Sequence, residues 1–255
     1  MYAEERQQAT AQLVMTRGRV SVTELAEEFD VTTETVRRDL SALERMRLVR
    51  RVHGGAVPAA SLSAMESRLD ERDVTRSREK ERIAVAARRF LPGDGGTVAI
   101  DAGTTTARLV GLIPPELRLT AFTHGVPIAA KLAPLAGVDL HLLPGRVRST
   151  TQAAVGAVTT RTLERVRVDV AFLGTNGITA EHGFSTPDSE EAAVKEALVR
   201  SARRVVVLAD STKVGRDTTV SFAELGDVDV LVTDAEPTAV PLATFAAHGV
   251  EVVVA

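Results

Sequence analysis

Between residues 78 and 255, seven short apolar runs rich in β-branched residues recur, at 97–100, 119–123, 138–143, 168–174, 204–208, 228–233 and 250–254. Stretches with helical periodicity separate several of them, at 79–90, 105–113, 127–136 and 190–201. Apolar strands alternating with helices suit a largely parallel sheet, because crossover helices cover both of its faces and leave neither in water. The pattern predicts an α/β domain with a doubly wound, mostly parallel sheet. In such sheets ligands bind outside the carboxyl ends of the strands, so the segment after each run is where chemistry is expected.

The first run is followed by Asp101-Ala102-Gly103-Thr104-Thr105-Thr106. A glycine and three hydroxyls at a helix start suit an anion: backbone N–H groups point at it, glycine permits close approach, and threonine adds donors. The same residues also make an ordinary strand-to-helix turn with a threonine cap. Other strand ends carry Thr123-His124-Gly125, Pro144-Gly145-Arg146, Gly174-Thr175-Asn176-Gly177 and Asp210-Ser211-Thr212-Lys213. Arg146, Lys195 and Lys213 offer positive charge to an anionic ligand, although a single arginine or lysine is also an ordinary solvated residue. The candidate effector-binding set is Asp101, Gly103, Thr104, Thr105, Thr106, His124, Gly145, Arg146, Gly174, Asn176, Lys195 and Lys213.

The first 57 residues read as a separate small domain. Ala9 and Leu13 recur at helical spacing from Glu4 to Thr16, and Arg17-Gly18-Arg19 ends that run. Ser21-Val22-Thr23-Glu24 has capping-box spacing and opens a second helix through Phe29, with Leu25, Ala26 and Phe29 on its buried face. After the tight turn Asp30-Val31-Thr32, Thr32 caps a third helix from Thr33 to about Arg45. On it Val36, Leu40 and Leu43 form one stripe, with Glu34, Arg37, Arg38 and Ser41 opposite. The β-rich run Leu48-Val49-Arg50-Arg51-Val52 then leads into His53-Gly54-Gly55, the pattern of a hairpin wing.

The whole chain carries a net charge of −3, so affinity for nucleic acid has to be local. Residues 33–56 hold six arginines against Glu34, Asp39 and Glu44, a balance of +3, whereas residues 1–32 balance at −3. Charge is thereby concentrated on the helix and wing that would face phosphates. A small helical bundle with an arginine-rich solvated face is the alternative reading of the same polarity.

Between residues 58 and 77 the chain turns to small residues and then to mixed charge without sustained periodicity, which reads as a linker. It either transmits a signal or tethers passively. Cysteine is absent, which excludes disulfides and thiolate zinc sites, and the five histidines have no metal-ligand spacing, so neither metal nor cofactor is expected. Met1 to Gln8 lacks the apolar core of a signal peptide, and no apolar run reaches membrane-spanning length, so a cytoplasmic protein without membrane contact is expected. Only four of the 31 basic residues are lysines, Lys80, Lys131, Lys195 and Lys213, a bias suggesting a GC-rich genome.

Thr35-Val36-Arg37-Arg38-Asp39-Leu40-Ser41-Ala42-Leu43-Glu44 with Leu48-Val49-Arg50-Arg51-Val52-His53-Gly54-Gly55-Ala56 closely resembles the DeoR-type helix-turn-helix signature. The resemblance implies that Arg37 and Arg38 contact phosphates or base edges, that Thr32, Thr33 and Thr35 lie at the groove, and that Arg50, Arg51 and His53 touch the backbone. An arginine serves either guanine or phosphate, and both remain open. The Asp-Ala-Gly-Thr-Thr-Thr loop, Phe172 to Gly177, Glu190-Glu191 with Lys195, and Leu208 to Lys213 extend the likeness to the DeoR-family sensor domain. That domain implies the fold of ribose-5-phosphate isomerase and a phosphorylated sugar as effector. With Leu142 to Arg148 and Thr151 to Gly156, the chain is most similar to actinobacterial repressors of fructose phosphotransferase operons, which implies fructose 1-phosphate. It departs from the wider family at His124, where asparagine is common, and at Pro144-Gly145, where paired glycines are common.

An isomerase of the same fold carrying an accessory head is the competing reading. Moving a proton between sugar carbons needs a carboxylate over the substrate, and isomerases of this type carry Asp-Gly-Ala-Asp-Glu where this chain has Leu173-Gly174-Thr175-Asn176-Gly177. The expectation is therefore a non-enzymatic repressor of a sugar operon with three parts: a winged helix-turn-helix over 1–57, a linker over 58–77 and a sugar-phosphate-sensing domain over 78–255. Its expected partners are an operator in double-stranded DNA, a phosphorylated sugar, and further copies of itself, at least one, since paired heads match repeated half-sites.

Overall fold

The computed structural model describes residues 3–18, 20–46, 48–52, 54–58, 69–236 and 241–255. The chain divides into two units, 1–65 and 66–255. In the first, α1 (Ala3–Arg17) is followed by β1 (Val20–Ser21), α2 (Val22–Glu28), α3 (Thr33–Arg45), β2 (Val49–Val52) and β3 (Gly55–Pro58). The capping box forms: Ser21 Oγ accepts from the Glu24 N–H at 3.1 Å, and Glu24 Oε2 accepts from the Ser21 N–H at 2.7 Å. Asp30, at φ +49, makes the tight turn between α2 and α3, a left-handed conformation that a short polar side chain tolerates. The antiparallel order β1-β3-β2 makes the wing. Val14, Val20, Leu25, Val36, Leu40, Leu43, Val49 and Ala56 form a buried core that joins all three helices to it.

The second unit contains α4 (Leu69–Val74), α5 (Ser77–Ala87), β4 (Gly96–Ile100), α6 (Thr104–Val110), β5 (Leu119–Thr123), α7 (Val126–Leu132), β6 (Val138–Leu142), β7 (Arg146–Val147) and β8 (Ala154–Val155). It continues with α8 (Ala157–Leu163), β9 (Val168–Gly174), β10 (Gly177–Thr179), β11 (Gly183–Thr186), α9 (Ser189–Ser201), β12 (Ala202–Ala209), β13 (Val220–Ala223), β14 (Val230–Thr233), α10 (Pro241–Ala247) and β15 (Glu251–Val254).

Seven strands form one parallel sheet in the order β15-β14-β12-β9-β4-β5-β6. Alternate residues along the strands face opposite sides, and both sides are buried. Val98, Ile100, Val170, Phe172, Val206 and Leu208 meet Ile83 of α5, Leu109 of α6 and Ile128 and Leu132 of α7. Ala99, Ala171, Leu173, Val205 and Val207 meet Leu163 of α8, Val194 and Leu198 of α9 and Phe245 of α10. The sheet is doubly wound. After β4 the chain adds β5 and β6 on one side, then returns to place β9 on the other, so the winding reverses between β4 and β9.

Two features depart from the sequence reading. Antiparallel groups β10-β11-β13 and β7-β8 stand apart from the main sheet. The end of the expected linker is folded: α4 occupies 69–74, the Leu69 N–H donates to the Thr150 carbonyl at 3.1 Å, and Arg108 donates to Asp73 Oδ1 at 2.6 Å and to its carbonyl at 2.8 Å. Residues 59–68 of that linker lie outside the described residues.

Candidate functional site

The head presents α3. Thr32 is its N-cap, with Oγ1 accepting from the Thr35 N–H at 3.2 Å and lying 2.9 Å from the Thr35 hydroxyl. Thr33 is exposed beside it. Arg37 and Arg38 are 54% and 81% exposed, and Glu34 stands 3.6 and 3.7 Å from them. Ion pairs so long and so exposed contribute little, which leaves both guanidinium groups able to exchange Glu34 for a polyanion. Asp39 is turned inward instead, accepting from Arg6 Nε at 2.6 Å and Gln7 Nε2 at 3.0 Å, and so fixes α1 to α3. Arg50 and Arg51 stand on β2, and His53 lies outside the described residues.

In the second unit a buried carboxylate marks the point where the winding reverses. Asp101, just past β4, has Oδ1 2.9 Å from His124 Nε2, while its Oδ2 accepts from the Gly174 N–H at 2.8 Å and from Lys195 Nζ. Lys195 Nζ also donates to the Gly174 carbonyl at 2.9 Å. His124 Nδ1 lies 2.9 Å from the Ala154 carbonyl, which can only accept, so this nitrogen carries a proton. Burial pushes the Asp101 carboxyl up, but the Lys195 ammonium and His124 outweigh it and hold the group well below the usual carboxylate range. One compensated charge thereby ties together segments at the ends of β4, β5, β8 and β9 and the middle of α9.

A cavity of about 170 Å³ opens at the same strand ends. Gly103, Thr104 and Thr105 line it from the β4 loop, Gly174 and Thr175 from the β9 end, and Asp210, Thr212 and Lys213 from the turn after β12. Arg72, Thr75, Arg76 and Lys80 line it from α4 and α5, so the lining has four cations and one carboxylate, with Arg76 paired to Asp234 outside the lining. Asp210 accepts from the Thr212 N–H at 3.1 Å, and Arg76 is held by Asp234 at 2.6 Å. Lys80 is buried and donates to the Arg72 carbonyl. Burial lowers its pKa, opposed by Asp210 and assisted by Arg108, Arg72 and Lys213, to about 8. Burial likewise lowers Lys213, again opposed by Asp210.

The structure brings some of the sequence-predicted residues to this cavity and not others. Gly103, Thr104, Thr105, Gly174 and Lys213 line it. Thr106 is fully buried, and its hydroxyl caps α6 by accepting from the Gly103 N–H at 3.0 Å. Asp101, His124 and Lys195 are committed to one another beneath the loop, so the Lys195 charge is already neutralised. Arg146 is an exposed residue paired with Glu190. Gly145 serves packing: at φ +153, a Cβ there would lie 2.3 Å from Thr159 Oγ1 and 2.8 Å from the Val155 carbonyl. Asn176 Oδ1 accepts from the Thr186 hydroxyl at 3.2 Å and joins the antiparallel group.

Arg72, Arg76 and Lys80 were absent from the predicted set. A signal for Lys80 existed. In a chain that favours arginine so heavily, Lys80 and Lys213 line this cavity, Lys195 holds its floor, and Lys131 lines a neighbouring one. A buried lysine is a point charge whose pKa shifts readily, unlike a guanidinium, and in this arginine-rich chain the rare lysines cluster at these cavities beside Arg72 and Arg76.

A winged helix-turn-helix with two exposed arginines on its capped third helix, joined to a doubly wound unit with a cationic cavity at its switch point, defines a DNA-binding regulator with a ligand-sensing domain. Residues 6–61 match the family described as the DeoR-like helix-turn-helix domain, and residues 75–235 the DeoR C terminal sensor domain. The chain belongs to the DeoR family of transcriptional regulators. It is 35% identical to the HTH-type transcriptional regulator GlpR of Haloferax volcanii, over 92% of this chain and 91% of that protein. It is 33% identical to the uncharacterized HTH-type transcriptional regulator FruR of Bacillus subtilis, over 92% and 93%, and 32% identical to the glycerol-3-phosphate regulon repressor of Escherichia coli, over 91% of each. Among solved structures, ribose 5-phosphate isomerase from Plasmodium falciparum is 14% identical over 54% of this chain and 52% of that one, with a TM-score of 0.39. Among the described residues no helix is long and apolar enough to cross a membrane.

Proposed function

We propose that the protein is a cytoplasmic, non-enzymatic repressor of a sugar uptake and catabolism operon, released from its operator when a phosphorylated sugar occupies the switch-point cavity. Fructose 1-phosphate is the favoured effector. The observation that carries this reading is the cavity itself: Arg72, Arg76, Lys80 and Lys213 surround the hydroxyls of Thr104 and Thr105, against one carboxylate that is already hydrogen-bonded. Charge-assisted donors converging on a small space suit a phosphate dianion. One relative, the glycerol-3-phosphate regulon repressor of Escherichia coli, carries a phosphorylated polyol in its name, which supports a phosphorylated effector. Catalysis is the poorer reading, since Asp101 is sealed by Lys195 and His124 and Asp210 by Thr212.

The protein acts as a homo-oligomer, at least a dimer, whose paired heads fit repeated half-sites. Effector favours a conformation in which the heads no longer fit, and lowers operator affinity by its differential affinity for that state. Titrating labelled upstream DNA, bound by the full chain, with a panel of sugar phosphates tests the reading. Release by fructose 1-phosphate is expected, and no release by any member of the panel would refute it.

Arg37→Ala and Arg38→Ala should each weaken operator binding. Loss of one phosphate contact lowers the slope of log affinity against log salt by about 1, whereas loss of a base contact relaxes sequence preference at a cost of about 1–3 kcal/mol. Fluorescence anisotropy at several salt concentrations separates the two. Unchanged affinity in both variants would remove α3 from the interface.

The lowered pKa of Lys80 gives a calorimetric signature. A dianion beside the ammonium favours its charged form, so effector binding at pH 8 should take up about half a proton, drawn from buffer. Titrations in buffers of different ionisation enthalpy measure it, and Lys80→Met should abolish the uptake. Effector affinity should fall as pH rises past 8. Stability follows the opposite course: the unfolded chain holds this proton up to its ordinary value of 10.5, the folded chain only to about 8, so stability rises with pH between those values.

A further inference from the structure

We propose that α4 is a ligand-binding element, and that the site it completes takes a phosphomonoester end-on, with phosphate in the cationic cavity and an uncharged, hydroxylated chain in a second cavity. This rests on the reading that the loop after β4 receives phosphate. The second cavity, of about 290 Å³, shares Gly103 and Thr104 with the lining of the first. One short helix serves the two: Arg72 of α4 lines the cationic cavity, and Leu69, Asp70 and Asp73 line the other.

The two cavities differ in chemistry. The first has an excess of cations. The second holds Asp70 and Asp73 against the exposed Lys131, with Gln152 to bond hydroxyls and a largely apolar wall that includes Ala102, Ala107, Pro127 and Ile128. The first cavity attracts an anion, whereas in the second Lys131 and Arg108, which pairs with Asp73, only balance the carboxylates, so a ligand with one phosphate fits in one direction.

Nothing buries α4 in the hydrophobic core, since none of its residues is buried. It is held by polar contacts: Arg108 to Asp73, the Leu69 N–H to Thr150, and Lys80 to the Arg72 carbonyl. The last of these engages a cation that also lines the phosphate cavity, and its three N–H donors can hold the Arg72 carbonyl and a phosphate oxygen together. α4 also lies between the two segments matched by the family, 6–61 and 75–235, and is the first described element after β3 of the DNA-binding unit. A ligand touching α4 therefore acts on the stretch of chain that leads to the head.

Hydrogen exchange of the full-length protein, alone and saturated with fructose 1-phosphate or glycerol 3-phosphate, tests the proposal. Exchange is expected to slow by about tenfold or more both at 103–110 and at 69–76, because ligand contacts suppress local opening of a helix without core packing. Slowing at 103–110 alone would overturn the role of α4 and leave the phosphate site standing. Slowing at neither segment with either probe would overturn the phosphate site and this inference with it. Competition with fructose 1,6-bisphosphate tests the orientation: it should bind about tenfold more weakly than the monophosphate, and Asp70→Asn, which leaves the Arg108–Asp73 contact in place, should shrink that gap to about threefold. Equal affinity in the unsubstituted protein, or a gap unmoved by the substitution, would overturn the end-on arrangement.

Discussion

Replacing Lys195 by methionine is expected to destabilise the second unit by about 3–5 kcal/mol, the usual cost of leaving a buried charge without its partner. Asp101 is 1% exposed and Lys195 5%, so water cannot take over the ammonium's role. Methionine keeps most of the volume and removes only the charge and its two hydrogen bonds, to Asp101 and to the Gly174 carbonyl. Calorimetry on the full chain should show the transition of this unit falling by roughly 6–20 °C. Pairing the change with Asp101→Asn should recover part of the loss, because neither charge is then stranded. A single-variant loss below about 1 kcal/mol would mean that the carboxylate finds other compensation and is not the tie that joins these strand ends. Because Asp101 titrates below its ordinary 3.8 when folded, the pair's contribution is in place above that value and fades as pH falls beneath it.

That keystone was only half legible in the sequence, and the reason is physical. Strand runs 119–123 and 168–174 coincide with β5 and β9 because a strand buried on both faces must be apolar throughout, a signal complete within the segment. The N-caps Ser21 and Thr32 were legible for the same reason, since a capping interaction spans three residues. Asp101 and Lys195 are 94 residues apart, and their pairing depends on how the sheet is wound. Read locally, Lys195 was a free cation. α4 was missed in the opposite way: its Leu69-Asp70-Glu71-Arg72-Asp73-Val74 buries nothing and so has no apolar stripe, and it is held by Arg108 and Thr150 from distant segments. The strands β10, β11 and β13 are three or four residues long, and β11 pairs with β13 across an interval that includes all of α9. Periodicity over so few residues carries no information, and only the tertiary pairing defines them.

Thr105→Tyr should separate sensing from DNA binding. Thr105 is 8% exposed, lines the cationic cavity, and its side chain caps nothing, in contrast to Thr106 next to it, whose hydroxyl closes the turn. A phenol ring placed there occupies much of a space of about 170 Å³ without removing any of the contacts that hold Asp101, His124 and Lys195. The head folds on its own core of Val14, Leu25, Leu40 and their neighbours, so operator affinity should stay within about threefold of the unsubstituted protein, the scatter typical of a change remote from an interface. The fructose 1-phosphate concentration needed for release should rise by about 100-fold or more, equivalent to roughly 3 kcal/mol of lost binding. Thr105→Ser keeps the hydroxyl and adds no bulk, and should respond almost normally, which separates a blocked cavity from the loss of the threonine itself. If the tyrosine variant is still released at the ordinary effector concentration, phosphate is not held at the β4 loop, and the cations of α4, α5 and the β12 turn must serve some other anion.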